Sequence, residues 1–205
     1  MKKVLFMVLL SSFSMFSQAQ RTVGNLSMQP KVGLNLATMT NDDDAKMRPA
    51  IVGGLEFEYQ ASQKIAFSFG ALYSQQGCKS EEDGVKGTIK LDYINVPLLA
   101  NIYVADGFAL KFGIQPGFLI NDKVKVSANG VSAEIGLEES FRAAGLNADL
   151  KSIDLSIPVG FSYEYNNILF DARYNLGLTK IMSGSGIDPT KNSVFQFTLG
   201  YKFGL

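Results

Sequence analysis

Large apolar residues and small or polar residues alternate along most of the chain from Lys31 onward. Between Ile65 and Tyr73, for example, every second residue is large and apolar, and most residues between them are small or polar. A period of two places such residues on one face of a β-strand, whereas it would scatter them around a helix. This pattern predicts eight strands, with a bulge at Pro97 in the fourth. Their ranges are 31–37, 50–60, 65–76, 93–103, 108–121, 153–164, 168–178 and 195–203.

The composition of the two faces indicates which one points inward. One face is mostly Gly, Ala, Ser, Asn and Gln, and the other is mostly Phe, Tyr, Leu and Ile. The interior of an eight-stranded barrel is only just wide enough for side chains, so the bulky face is expected outside, where only lipid tolerates it. We therefore predict an all-β fold, an eight-stranded antiparallel up-and-down transmembrane β-barrel. The alternative is an exported, soluble, lipocalin-like barrel that turns the same face inward around an apolar ligand.

The links between the predicted strands alternate in length, which independently supports a membrane barrel. Outer-membrane barrels have short periplasmic turns and longer outer loops. The long links are 39–49, 77–87, 122–150 and 180–192, and the short links are 61–64, 104–107 and 165–167. This arrangement predicts interfacial aromatic residues at both membrane surfaces. The periplasmic set is Tyr59, Tyr103, Phe108, Tyr163 and Phe203, and the outer set is Tyr73, Phe118 and Phe195.

The first nineteen residues are typical of a secretory signal peptide. Lys2 and Lys3 form a basic start, the range 4–16 is largely apolar, and Ser17 and Ala19 are small residues at the positions that signal peptidase reads. We therefore expect residues 1–19 to be removed by cleavage near Ala19. Residues 20–205 then form one barrel domain in the bacterial outer membrane.

The amino-acid composition argues against several classes of partner and of enzyme reaction. Nineteen basic and nineteen acidic residues give zero net charge, so no bulk field favours nucleic acid as a partner. The absence of histidine and the presence of one cysteine remove His-dependent triads, zinc ribbons and internal disulfides. We predict no enzyme activity, no catalytic or metal-binding residues and no cofactor. The single cysteine, Cys78, is expected to be an incidental thiol in a polar loop.

Seven charged residues fall on the inward face of the predicted strands, in the periplasmic half of the lumen. This set is the candidate site: Glu56, Glu58, Lys111, Glu164, Asp171, Arg173 and Lys202. It is interpreted either as an ion-selective constriction or proton path, or as a plug of paired buried charges, and the plug is favoured because each buried charge needs a partner.

Two outer loops contain further candidate features. The acidic run Asn41–Asp44 could bind Ca²⁺, but it lacks the spacing of a calcium loop and is interpreted as solvated. The segment Ala133–Leu150 could form a short helix, and its place in the longest loop suggests contact with a partner, a surface polysaccharide or the barrel mouth. The outer loops are therefore the expected location of any surface ligand.

Several segments, in order, resemble the small bacterial outer-membrane β-barrel domain family that is often labelled porin-like. They are Lys31–Asn35, Tyr73–Gly77, Leu91–Leu99, Gly113–Phe118 and Ala172–Leu178. The C-terminal residues Thr198, Gly200, Phe203 and Leu205 also resemble the signal read by the barrel assembly machinery. The resemblance implies an integral outer-membrane protein with a structural, surface-interaction or narrow-permeation role. Water-filled channels belong to wider barrels of about 16 strands.

Overall fold

A computed structural model describes residues 22–40, 45–82, 85–128, 131–143, 145, 148–184 and 187–205. The expected signal peptide, residues 1–19, and the acidic run Asn41–Asp44 lie outside the described residues. No helical segment in the described portion of the chain is both long enough and apolar enough to cross a bilayer.

The described residues form a mainly antiparallel β-structure with one short helix. In chain order the strands are β1 (Leu26–Met39), β2 (Lys46–Gln60), β3 (Ile65–Glu82), β4 (Val85–Asn95), β5 (Leu98–Ala105), β6 (Phe108–Ala128), β7 (Val131–Gly136), β8 (Ala148–Leu150), β9 (Ile153–Tyr165), β10 (Ile168–Gly177), β11 (Met182–Gly184), β12 (Ile187–Thr190), β13 (Asn192–Tyr201) and β14 (Phe203–Gly204). Helix α1 (Leu137–Ala143) follows β7.

The main sheet closes on itself. Successive strands pair in the order β1, β2, β3, β4 with β5, β6, β9, β10 and β13, and β13 then pairs with β1 from Lys31↔Gly200 to Met39↔Asn192. Strands β4 and β5 share one position between β3 and β6, because the ladder is interrupted at Val96 and Pro97, where the sequence predicts a bulge. Among the described residues the ring therefore has eight antiparallel positions, which confirms the predicted architecture.

The ring turns its apolar face outward and its polar face inward. Val32, Ile114 and Leu199 are 67%, 51% and 56% exposed, whereas the inward Asn35 and Gln196 are fully buried. A lipocalin-like barrel requires the opposite arrangement, so that alternative is wrong. A closed ring also pairs its backbone groups without water, as a hydrocarbon environment requires.

The two ends of the ring differ. We call one the turn end, because it carries the short turns 61–64, 106–107 and 166–167 together with both described termini. Asn166 and Asn167 have φ angles of 47° and 67°, the pair of left-handed residues of a two-residue hairpin whose twist matches that of the strands. The opposite end, which we call the loop end, carries the longer connections. The predicted alternation of link lengths is therefore present.

Two of the long links are not irregular loops, contrary to the sequence-based expectation. Strand β3 continues to Glu82, β4 begins at Val85, and β6 continues to Ala128 before pairing with β7. Past the outward apolar face of the ring, which we call the belt, these strands form one sheet. We call this sheet the hairpin extension, and it comprises residues 78–82, 85–91, 123–128 and 131–136. The pairing persists because apolar residues such as Ile89 and Val124 still alternate with polar ones and still have a surface to pack against.

Candidate functional site

The structure places all seven sequence-predicted charged residues inside the ring. Glu56, Glu58, Lys111, Asp171 and Arg173 have at most 3% of their surface exposed. The side chains of Glu164 and Lys202 are 19% and 13% exposed, because they lie near the turn end. The strands bring these residues together because each occupies an inward position in the same half of the ring.

Lys31 of β1 belongs to the same group, although the sequence-based interpretation missed it. Its ammonium lies 2.5 Å from Glu56 Oε2 and 3.4 Å from Asp171 Oδ2, and its side chain is fully buried. The predicted strand begins at Lys31, which makes the residue look like a strand end, whereas β1 begins at Leu26. The sequence does contain a signal for this position, because Lys31 lies two and four residues before the inward residues Gly33 and Asn35 and therefore on the same face of the strand. We call the eight residues together the lumen cluster.

The lumen cluster contains an inner group of three bases and two acids, namely Lys31, Lys111, Arg173, Glu56 and Asp171. Arg173 makes most of the hydrogen bonds within this group. Its Nε donates to Asp171 Oδ1 at 2.6 Å, and its Nη2 donates to Glu56 Oε1 at 2.6 Å and to Asp171 Oδ2 at 3.0 Å. Lys111 donates to Asp171 Oδ2 at 2.7 Å. These contacts are charge-assisted, and the guanidinium group bonds both carboxylates at once. With Lys31, three bases and two acids therefore form a connected group with one excess positive charge.

The outer group of the lumen cluster is organised around Glu58. Its Oε1 accepts from Tyr103 Oη and from Lys202 Nζ, both at 2.7 Å, and its Oε2 accepts from Asn101 Nδ2 at 2.7 Å. Lys202 also contacts Glu164 Oε2 at 3.1 Å. Two acids and one base leave the outer group with a single excess negative charge, which balances the inner group. A small cavity of about 160 Å³, lined by residues that include Glu58, Glu164 and Lys202, opens beside it.

Glycines on neighbouring strands make room for the buried charges. A Cβ at Gly200 would lie 2.9 Å from Lys31 Cγ, and one at Gly70 would lie 3.0 Å from Glu56 Cγ. These distances are at or below the limit of real Cβ contacts. Each Cβ would also meet backbone, the Pro30 carbonyl oxygen at 2.8 Å and Glu56 Cα at 2.7 Å, so a side chain at either position would displace the neighbouring strand as well as the charged residue. The high glycine content of the sequence therefore has a structural reason in the lumen.

Tyr103 corrects the predicted aromatic girdle. It is 7% exposed and donates to Glu58 inside the ring, because it lies on the same face of the strand as Asn101, and both side chains point inward. The other residues of the girdle prediction face outward or are half-buried. Tyr59, Tyr163 and Phe203 are 46%, 44% and 44% exposed near the turn end, and Phe118 and Phe195 are 45% and 41% exposed nearer the loop end; Phe108 and Tyr73 are half-buried.

An apolar cluster lies at the loop end of the ring. We call it the loop-end cluster, and its buried members are Met39, Cys78, Leu91, Tyr93, Leu137, Ile181 and Met182. Helix α1 contributes Leu137 and the partly buried Phe141, and Asp122 Oδ2 accepts from the Leu137 backbone N–H at 3.2 Å at the start of the helix. The short helix predicted within Ala133–Leu150 is thus present, and it packs against the barrel mouth.

Cys78 is not the loop thiol that the sequence suggested. It lies in β3 with 2% of its surface exposed, as a member of the loop-end cluster. Lys79 and Glu81 follow it in the same strand and point to the opposite face. The thiol is therefore shielded by apolar side chains.

We predict that Cys78 reacts slowly with a water-soluble thiol reagent while the barrel is folded. Replacing Leu137 by alanine removes a fully buried side chain that covers the cluster, so the reaction is expected to accelerate severalfold through local opening. Arg142→Ala on the exposed side of the same helix is the control and should leave the rate unchanged. Rapid reaction of the unmodified protein would show that the cluster does not close the lumen.

The C-terminal residues close the ring at the turn end. Thr198 is buried and faces inward, whereas Phe203 and Leu205 are 44% and 67% exposed. Strand β14 pairs with β1 at Met28↔Phe203, and the Leu205 N–H donates to the Leu26 carbonyl at 2.9 Å. Polar and apolar positions of the terminal segment thus point to opposite sides of the barrel wall.

The acidic side chains of the ring are not arranged as a metal site. Among the described residues, no group of three or more His, Cys, Asp or Glu side chains is placed to hold a metal ion. The carboxylates of the lumen cluster are instead engaged by lysine, arginine, tyrosine and asparagine.

Comparison with solved structures places this architecture among small outer-membrane barrels. The structure of Ail, the attachment invasion locus protein of Yersinia pestis, in complex with the heparin analogue sucrose octasulfate, is similar over 88% of this chain and 100% of that chain, with 16% identity and a TM-score of 0.50. Neisserial surface protein A is similar over 87% of this chain and 97% of that chain, with 14% identity and a TM-score of 0.50. At these identities the similarity concerns the fold.

Comparison with sequences of known proteins gives the family. No curated protein matches the chain. The model of the outer membrane protein beta-barrel domain matches residues 16–183, which is most of the chain. Together with the closed ring and its outward apolar belt, this match shows that the chain belongs to the outer membrane protein β-barrel domain family.

Proposed function

We propose that this integral outer-membrane barrel serves a structural and surface-interaction role, and that its lumen does not conduct solutes. The observation that carries the proposal is closure at two levels. The lumen cluster lies across the half of the ring near the turn end, and the loop-end cluster packs at the opposite mouth. A solute would have to displace both a network of buried ion pairs and a packed apolar layer.

The polar layer between these two levels also supports closure. Asn35 Nδ2 donates to Ser74 Oγ at 2.9 Å and to the Gln75 carbonyl at 2.8 Å, and Asn192 Nδ2 donates to Asp154 Oδ2 at 2.8 Å. The asparagine, serine and aspartate side chains are buried and bond to one another inside the lumen. An eight-stranded ring of this kind is filled by its side chains, in agreement with the general relation between strand number and interior width.

We predict that the protein inserted in a planar bilayer produces no resolved single-channel current. A wide porin measured in the same bilayers is the positive control, and a heat-dependent gel shift of the same preparation verifies that the barrel is folded. Stable, reproducible conductance steps from the folded protein would contradict the closed lumen and would support the narrow-permeation role instead.

A non-enzymatic role agrees with the chemistry of the site. The chain contains no histidine, and the buried carboxylates of the lumen cluster are occupied by ion pairs and hydrogen bonds. A general base must reach the proton of its substrate. Glu56 and Asp171 are enclosed inside the wall, so they are poorly placed for that task.

Export and assembly are the remaining elements of the proposal. Residues 1–19 are proposed to be a signal peptide cleaved near Ala19, which leaves the barrel domain 20–205. Thr198, Gly200, Phe203 and Leu205 are proposed to be the signal for the barrel assembly machinery, supported by the outward exposure of Phe203 and Leu205 beside the closing strand β1. Any surface ligand is proposed to bind at the loop end.

A further inference from the structure

The hairpin extension carries lysines on one of its two faces. Its register places Lys90 directly opposite Lys123 and Thr88 opposite both Lys79 and Lys125. Lys86 lies two residues from Thr88 on the same strand and pairs with Glu81 and Ser127. We call this surface the lysine face, and its basic residues are Lys79, Lys86, Lys90, Lys123 and Lys125.

The lysine face points away from the barrel axis. The alternate residues Cys78, Ile89, Leu91 and Val124 pack in or against the loop-end cluster. Because successive side chains of a strand point to opposite faces, the lysines stand on the outer side of the extension. Their side chains are accessible, since those of Lys86 and Lys123 are 65% and 48% exposed.

Positive charge predominates on this face. Glu134 contacts Lys90 at 2.8 Å and Lys123 at 3.4 Å, and Glu81 contacts Lys86 at 3.5 Å. Lys79 and Lys125 have no ion-pair partner among the described side chains. With five lysines against two glutamates, the described residues of the face have three excess positive charges. Glu134 lies between the directly opposed Lys90 and Lys123 but supplies one negative charge against two positive ones, so this pair keeps an excess positive charge that attracts an external anion.

The lysine face begins where the lipid-facing belt ends. Phe118 and Ile120 are 45% and 55% exposed and are the last apolar belt residues on β6. Lys123 follows Ile120 by three residues, a rise of about 10 Å along the strand, or about 8 Å along the membrane normal at the usual strand tilt. Lipid headgroups occupy this depth, and a lysine keeps its ammonium group there while its alkyl stem contacts apolar surface.

We propose that the lysine face is a binding surface for the phosphate headgroups of anionic lipids in the same membrane. Its position favours a lipid over a soluble polyanion, because the lysines adjoin the belt on the outside of the wall and lie away from the mouth of the barrel. The lipid phosphates would neutralise the excess positive charge of the lysine face and would seat the hairpin extension on the membrane surface. This inference goes beyond the proposed function and does not depend on whether the lumen conducts.

The test is lipid selectivity of the full barrel in phosphatidylcholine vesicles that contain a minor fraction of phosphatidylglycerol. Spin-labelled phosphatidylglycerol and spin-labelled phosphatidylcholine report the preference for the anionic lipid at the protein surface. We expect the folded protein to prefer phosphatidylglycerol by about twofold to fivefold, the upper value corresponding to one lysine at a membrane surface. The triple variant K90Q/K123Q/K125Q should lose most of that preference, and high salt should weaken it in the unmodified protein.

The control variant K64Q/R142Q/K180Q removes the same number of charges from exposed positions outside the lysine face and should retain the preference. A heat-dependent gel shift verifies folding of both variants. Equal selectivity in the two triple variants, or no preference in the unmodified protein, would overturn the proposal. Sucrose octasulfate serves as a soluble polyanion in vesicles of phosphatidylcholine alone. Lysine-dependent binding of that probe without any lipid preference would assign the face to a soluble ligand and would also overturn it.

Discussion

Replacing Arg173 by alanine is expected to lower the free energy of unfolding by about 3–5 kcal/mol, the usual cost of removing one partner from a buried ion pair. Arg173 bonds both Glu56 and Asp171, and all three side chains are essentially fully buried. The variant would leave these two carboxylates with Lys31 and Lys111 alone. Both carboxylates would lose charge-assisted hydrogen bonds inside the wall, and the lumen cluster as a whole would change from four acids and four bases to one excess negative charge.

The measurement is the urea midpoint of the barrel in lipid vesicles, followed by the gel shift between folded and unfolded forms. Arg142→Ala is the control, because that exposed arginine on α1 lies outside the lumen cluster. Arg173→Lys should fall between the two, since an ammonium keeps the charge but not the geometry that bonds both carboxylates at once. Equal midpoints for Arg173→Ala and the unmodified barrel would show that the buried network does not stabilise the fold.

Replacing Ile114 by lysine is expected to destabilise the barrel by about 2–4 kcal/mol, the range for a lysine at the bilayer midplane on the lipid face of an outer-membrane barrel. Ile114 lies on the outer face of β6 and is 51% exposed. The size of the effect depends on what surrounds that face. In water the same substitution at an exposed site would change stability by no more than about 0.5 kcal/mol.

Val23→Lys is the matched control for this prediction. Val23 is 54% exposed but precedes β1, outside the belt. Unfolding in lipid vesicles should therefore separate the two variants, with Val23→Lys close to the unmodified protein. Similar stability of both variants would show that the apolar face of the ring is not in contact with hydrocarbon.

The architecture follows from short-range features of the sequence. Alternation of apolar and polar residues marks the face of each strand, and this depends only on the pleat of the backbone. The composition of the faces then indicates which one meets lipid, because large side chains such as Phe112 do not fit inside so narrow a ring. The seven charged residues on the inward face could be identified for the same reason.

The sequence-based interpretation was wrong about Cys78 and Tyr103, which both contact residues far away in the sequence. Cys78 lies in a polar stretch of sequence, yet it is buried because α1 and the residues around Ile181 fold over it. Tyr103 looks like an interfacial aromatic residue, yet it lies on the inward face with Asn101 and donates to Glu58 of another strand. The alternation of residues around Cys78 does not indicate that the residues around Ile181, more than a hundred positions later, will cover it.

The sequence by itself determined the strand pattern, which face of each strand points inward, and the approximate set of inward charges. These depend only on whether residues lie an even or an odd number of positions apart along one strand. Only the tertiary structure decided which charges meet, because pairing depends on the stagger of the strands around the ring. Lys31 joined Glu56 and Asp171 in this way. The same stagger aligned Lys90 with Lys123 at the edge of the belt, where charges from separate hairpins combine into one surface.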